Sequence, residues 1–227
     1  MKKRFRLLAA VLAAVITCSV LLSGCGKSAP TATDAQKYVQ AVLDLMCTGD
    51  YDKSVKFADV EEGKELEMRD QMIDEMLASV SQDAGFGEDI QARFREFIVK
   101  AFASCKYTVG EPVKTDDSGK PGYDVPVTIE PLKIFAGASE SLEAEMTELT
   151  SDTEKLMEMT EDEMYGVIFD ALFKVLDGNL ENPQYGAGEE IVVHYGLLDE
   201  KENLYGLDEE AGSRLGEKLF SMEGLEE

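Results

Sequence analysis

His194 is the one histidine of the chain, and imidazole is the side chain best suited to exchanging a proton near neutral pH. It stands in Ile191-Val192-Val193-His194-Tyr195, a β-branched run whose alternation puts it on the same face as Val192. On the concave face of a sheet, in a pocket shared with Tyr195 and Tyr123, it could serve as a general base or a ligand. A lone histidine without a positioned carboxylate or nucleophile reads first as a structural residue held by one hydrogen bond. Other sources of chemistry are thinner. No G-x-S-x-G is present, so a serine nucleophile on a sharp strand-to-helix turn is not expected. Cys105 could be activated by His194 only through a contact the sequence does not specify. Asp177-Gly178-Asn179-Leu180-Glu181 begins like a calcium loop, but Asn182 stands where the sixth-position glycine belongs and Gly188 where the twelfth-position glutamate belongs. No metal site and no cofactor are therefore expected, and no catalytic set is assigned.

The four cysteines have different expected fates. Cys18 lies in an apolar run and Cys25 follows that run after Ser23-Gly24, leaving Cys47 and Cys105 as one possible pair. Joined, they would close a loop of 59 residues, for which the chain-entropy account suggests ~4 kcal/mol of stabilisation. Left apart, they would be two buried thiols packed as small apolar groups. There is no C-x-x-C and no Cys/His cluster, which argues against a zinc site or a thioredoxin-like centre.

Elements that could position these residues follow from periodicity. Thr33-x-x-Gln36 reads as a capping box for a helix carrying Tyr38, Val42 and Leu45 and ending near Gly49. A short helix is expected over Tyr51–Phe57, a third helix from Leu66 to Val80, and a fourth from Ile90 to Phe102. Lys106–Val113 and Tyr123–Phe135 read as strands of a hairpin around Asp116-Asp117-Ser118-Gly119. Pro126 cannot donate to a ladder and is expected at a sheet edge or a bulge. Residues 137–183 return to helix, with capping boxes at Ser151-x-x-Glu154 and Thr160-x-x-Glu163 and a stop at Gly178. Ile191–Leu198 and Leu204–Leu207 read as strands, and Asp208 as the cap of a last helix through Leu215 and Leu219. Methionines at helical spacing (Met68, Met72, Met76; Met157, Met159, Met164) read as core filler before they read as a peptide groove. The expected fold class is α+β: N-terminal helices packed on a small curved antiparallel sheet, with a helical insertion (137–183) between the hairpin and the C-terminal strands.

Location is carried by the N-terminal residues. Lys2, Lys3, Arg4 and Arg6 precede an apolar run from Leu7 to Leu22. That run is shorter than the ~20 residues a membrane span needs, and the order of features is that of a secretory signal. Leu22-Ser23-Gly24-Cys25 resembles the lipobox of bacterial lipoproteins. The resemblance implies cleavage before Cys25, lipid on that cysteine, and attachment to a membrane on its extracytoplasmic face. Residues 1–24 are then signal, 25–33 a small-residue tether whose stretch 26–33 reaches ~27 Å, and 34–227 a single domain. Four of the 22 basic residues and none of the 46 acidic ones lie in residues 1–24, so a chain cut there carries a net charge of −28. Such a field repels nucleic acid and anionic headgroups.

A second resemblance rests on Ala41-Val42-Leu43-Asp44-Leu45 followed by Gly49-Asp50-Tyr51-Asp52-Lys53. These look like segments of small Gram-positive lipoproteins of unknown function whose domain is similar to nuclear transport factor 2-like and cystatin-like folds. That similarity implies a curved sheet wrapped around a long helix. The chain has no tryptophan and offers Leu204-Tyr205-Gly206-Leu207 where such domains often end in a Trp-containing strand. The function expected from these features is a lipid-anchored, non-catalytic binding or interaction module. Its partner would be an envelope protein, a peptide or a small ligand, and not nucleic acid. The alternative is an enzyme or small-ligand binder with a cone-shaped pocket near His194. A transporter's solute-binding subunit ranks last, because two parallel α/β lobes are not in evidence.

Overall fold

The computed structural model describes residues 24–25, 30–57, 60–84, 87–115, 122–151, 159–201, 203–207 and 209–224. The signal run 1–23, the turn at 116–119, the body of the Ser151 box (152–158) and the Asp208 cap lie outside these residues. The elements are β1 (Gly24–Cys25), α1 (Ala32–Cys47), α2 (Glu65–Ala84), α3 (Glu88–Ala103), β2 (Lys106–Val109), β3 (Val113–Thr115), β4 (Gly122–Glu130), α4 (Ala138–Ser151), α5 (Glu161–Glu181), β5 (Glu189–Asp199), β6 (Leu204–Leu207) and α6 (Glu209–Leu219). The strands form one antiparallel sheet in the order β1-β6-β5-β4-β2, with β3 also paired to β4. The sheet curls into a half-barrel, and the fold is α+β as the element order requires.

α1 is the axis of the core. Nine of its sixteen residues are buried, on more than one side of the helix, whereas a surface helix hides only a stripe. One face of the sheet meets it: Val125, Val127 and Ile129 of β4 and Val193 and Tyr195 of β5 are buried in the same cluster as Tyr38, Val42 and Leu45. The alternate residues of these strands, among them Asp124, Pro126, Thr128, Val192 and His194, point to the opposite, outer face. That alternation is the period-two pattern of a sheet covered on one side.

The helix start differs from the Thr33/Gln36 box. Thr31 is the cap: its hydroxyl accepts from the Asp34 amide at 3.3 Å, and its own amide donates to Asp34 Oδ2 at 2.8 Å. Gln36 is drawn off by the sheet, its Nε2 donating to the carbonyls of Val109 (3.3 Å) and Gly110 (3.0 Å). Two described parts of the expected tether thus touch the domain. The Pro30 carbonyl accepts from the Tyr123 hydroxyl at 3.2 Å, and Cys25 pairs with Leu204 at the β6 edge.

Tyr51–Phe57 is a turn rather than a helix. Asp52 accepts from the Ser54 amide at 2.9 Å, the local bond by which aspartate competes with helix formation. Pro126 is not at an edge: β4 is flanked by β5 on one side and by β2 and β3 on the other. The ladder breaks beside it instead, between Val109 and Val113. Gly110 N–H donates to Pro126 O at 2.8 Å, and the reciprocal bond that proline cannot make is replaced at the Gly110 carbonyl by Gln36. Gly178 does not stop its helix, which runs to Glu181. Asn179 Nδ2 ties that turn down by donating to the Ile134 and Ala136 carbonyls, each at 2.9 Å.

The helical insertion is the pair α4 and α5, packed on one another and joined to the body through α3. Phe94, Phe97, Ile98, Ala101 and Phe102 form the buried stripe of α3, at the spacing an amphipathic helix requires. Phe173 of α5 meets Phe94 edge-on at 4.7 Å between ring centroids and Phe97 at 6.3 Å. The Arg93 guanidinium also lies over that ring, 4.4 Å from its centroid.

Candidate functional site

His194 and Asp124 are register partners on β5 and β4. Their side chains meet on the outer face, Nδ1 to Oδ1 at 3.0 Å. With the carboxylate ionised, Nδ1 holds the proton and Nε2 the lone pair. This is the arrangement that orients a general base, but the base atom is closed off. Nε2 is buried and has no hydrogen-bond partner. The ring lies over Gly122 and Gly196, and a β-carbon on Gly196 would stand 2.5 Å from Nε2. These two glycines pair across β4 and β5, and Gly196 pairs in turn with Gly206 of β6. They form a row without side chains on which the imidazole rests. A substrate proton cannot approach a nitrogen that faces backbone.

The expected grouping of His194, Tyr195 and Tyr123 is not formed. Tyr195 and Tyr123 are direct cross-strand neighbours, but they face α1, and His194 faces away from it. The concave-face position expected for His194 is thereby corrected: it shares Val192's face, as its alternation requires, and that face is the outer one. What gathers on the inner face is an aromatic cluster. Tyr195 lies 5.0 Å from Tyr38 and 6.3 Å from Tyr205 between ring centroids, and Tyr38 lies 5.7 Å from Phe57. Burial, helped by the charge of Asp34 and by Tyr205, pushes the Tyr195 hydroxyl up to about 12. Burial pushes Tyr38 well up in the same direction, and its hydroxyl is enclosed without a partner.

Cys47 and Cys105 are both free thiols, on segments that the fold brings side by side: Cys47 ends α1 and Cys105 precedes β2. Burial first, and the Cys47 neighbour second, push the Cys105 thiol well above its usual range. Beside them the Tyr107 hydroxyl donates to Asp44 Oδ1 at 2.8 Å, and Gln40 Nε2 donates to the same oxygen at 2.8 Å. Burial, the Cys47 thiol and Asp44 all push the Tyr107 hydroxyl upward. A further polar knot is Glu65, buried at 7% exposure. Burial works to raise it, but its own amide, the Tyr51 hydroxyl, the Gly63 amide and Lys53 outweigh that and hold its carboxyl below the usual range.

Asp124 is the partner that reading the sequence does not find. Its signal is register: Tyr123-Asp124-Val125 and Val193-His194-Tyr195 alternate alike, but only strand pairing aligns them. Asp44 and Tyr107 are 63 residues apart and carry no motif. Among the described residues no group of three or more His, Cys, Asp or Glu side chains is placed to hold a metal ion. Among the same residues no helix is long and apolar enough to cross a membrane. No family model and no curated protein matches the chain. Its fold is similar to a Bacillus subtilis crystal structure described as a "putative lipoprotein (ycdA)", with a TM-score of 0.54 and 14% identity over 83% of this chain. The match spans 56% of that protein, so this chain corresponds to about half its length.

Proposed function

We propose that the chain is a lipoprotein held to the extracytoplasmic face of a membrane through Cys25, where it acts as a non-catalytic binding module. The observation that carries this reading is Leu22-Ser23-Gly24-Cys25 placed directly after a basic head and a short apolar run. The shared fold with a Bacillus protein described as a lipoprotein supports it. The absence of catalytic activity is supported by the one histidine, whose free nitrogen is packed against a glycine row. With a net charge of −28 after cleavage, the domain is repelled by anionic headgroups. The partner is another envelope protein, approached over the outer sheet face, where Val192 and Val113 are exposed.

The test begins with the anchor. The full chain is expressed in a bacterial host fed an alkyne fatty acid, and lipid incorporation is read after click labelling. Labelling that Cys25→Ser abolishes supports the reading, and an unlabelled wild type overturns it. A photo-crosslinker is then placed at Val192, with Lys174 on α5 as control. Capture of the same membrane or secreted protein from Val192 alone supports the interaction module. Turnover of a defined substrate, lost on Asp124→Asn, overturns the non-catalytic assignment.

A further inference from the structure

Cys47 is the last residue of α1, and Cys105 stands between α3 and β2. The chain between them carries α2 and α3, so their proximity is made by the tertiary fold and not by local sequence. Cys47 is 3% exposed, and Cys105 Sγ donates to the Ala101 carbonyl at 3.5 Å. Tyr107 lies beside the thiols, its hydroxyl fixed on Asp44. Tyr185 is next to Cys105, its hydroxyl fixed on the Ser104 carbonyl at 2.8 Å and its ring under Lys106 Nζ at 3.8 Å. The Tyr107–Asp44 bond thus holds the last turn of α1 against the start of β2 and sets the two thiols in one tyrosine-flanked site.

We infer that Cys47 and Cys105 are a redox modification site, joined as an intramolecular disulfide once the chain has left the cytoplasm; the compartment in this statement rests on the lipoprotein reading above. Two alternative uses of the thiols fit less well. A soft metal needs further ligands, and none are grouped there among the described residues. A nucleophilic cysteine needs a depressed pKa in a positive, accessible setting, and Cys105 is pushed the opposite way by burial.

The co-reactant is a protein or small-molecule disulfide. A thiolate of one cysteine attacks a sulfur of that disulfide and releases one thiol. The other cysteine then attacks the mixed disulfide and releases the second thiol. Two cysteine thiols lose two electrons and two protons, and one external disulfide becomes two thiols. Because burial in the folded chain disfavours the Cys105 thiolate, the exchange runs while the chain is folding. The finished bond ties the end of α1 to the start of β2 and encloses α2 and α3 in one covalent loop.

The experiment uses the full chain purified from membranes in detergent. The protein is unfolded in urea with reductant, refolded in a mixture of oxidised and reduced glutathione, and alkylated under denaturing conditions without further reduction. Peptides are then mapped by mass spectrometry. A Cys47 peptide linked to the Cys105 peptide, with neither thiol alkylated, is the expected result. Cys47→Ala is expected to leave Cys105 alkylated or carrying glutathione. Two free or separately glutathionylated thiols in the refolded wild type overturn the pairing. The same mapping on cells quenched with a rapid alkylating agent separates the two readings. Linkage in the refolded protein with free thiols in cells overturns the inference where Cys25 carries lipid and the location where it does not, and free thiols in both overturn the pairing itself.

Discussion

His194 and Gly196 lie on the same face of β5, and the imidazole covers the glycine so closely that a β-carbon there would stand 2.5 Å from Nε2. Gly122, on the neighbouring strand, is covered by the same ring, but its β-carbon would also run into the Tyr195 carbonyl. The two positions therefore respond differently to one added methyl. Gly196→Ala is expected to cost ~1–3 kcal/mol by overpacking, and His194→Ala in the same chain to remove most of that cost. Gly122→Ala is expected to stay as costly in the His194→Ala background, because the clash with backbone remains. Urea unfolding of the two double mutants against their single mutants measures this coupling.

Gln36 and Pro126 form a second coupled pair. Gln36 serves the Gly110 carbonyl at 3.0 Å, the acceptor opposite the amide that Pro126 lacks. Gln36→Leu is expected to cost ~1–3 kcal/mol, since it leaves half-buried carbonyls at Val109 and Gly110 without their donor. Adding Pro126→Ala supplies an amide to the Gly110 carbonyl, so the double mutant is expected to be more stable than Gln36→Leu alone. Equal stability of the two in urea titrations would refute the replacement of one donor by the other.

Phe173 holds the helical insertion to the body. Its ring meets Phe94 and Phe97 and lies beneath Arg93, while Arg93 is also paired with Asp170. Phe173→Ala is expected to cost ~3–5 kcal/mol. The loss should concentrate in α4 and α5. Hydrogen exchange is expected to quicken there before it quickens in β4 and β5.

Stability should fall on the alkaline side. Burial, then the charges of Asp34 and Tyr205, raise Tyr195 from 10.0 to about 12. Burial, then the hydrogen bond and charge of Glu65, raise Tyr51 from 10.0 to about 12. Above about pH 10 the unfolded chain releases phenolic protons that the folded chain still holds, so unfolding becomes easier as pH rises. The contribution is present in full below pH 10 and is lost through about pH 12. The urea midpoint is expected to be flat to about pH 9.5 and to drop beyond it. Tyr195→Phe should reduce the slope between pH 10 and 12, and an unchanged slope would assign the loss to other tyrosines.

Much of the scaffold is readable one segment at a time. The stripe Phe94, Phe97, Ile98, Phe102 and the alternation Val125, Val127, Ile129 declare a helix and a strand because each buries one face, and the spacing records which. Even His194's face was legible from Val192. Which of the two sheet faces α1 would cover was not, since alternation is symmetric between them. Competition between local partners was also hidden. Thr31 and Thr33 are both plausible caps, and only the reach of Gln36 to β2 withdraws the second box. Gly178 has the residue type of a helix stop, but Asn179's bonds to Ile134 and Ala136 carry the helix past it.

By itself, then, the sequence determined the α+β class, the order of helices and strands, the excess of negative charge and the presence of a signal-like segment ending at Cys25. These depend on composition and on periods of two and 3.6 residues, which neighbouring side chains impose on their own backbone. Tertiary structure alone decided that Asp124 faces His194, that glycines at 122 and 196 close off Nε2, that Tyr195 joins Tyr38, and that Cys47 lies near Cys105. Each of these contacts joins residues at least 58 positions apart, or depends on a strand register. Such contacts arise only when the sheet curls around α1 and buries one face, a choice made by the summed burial of the whole core.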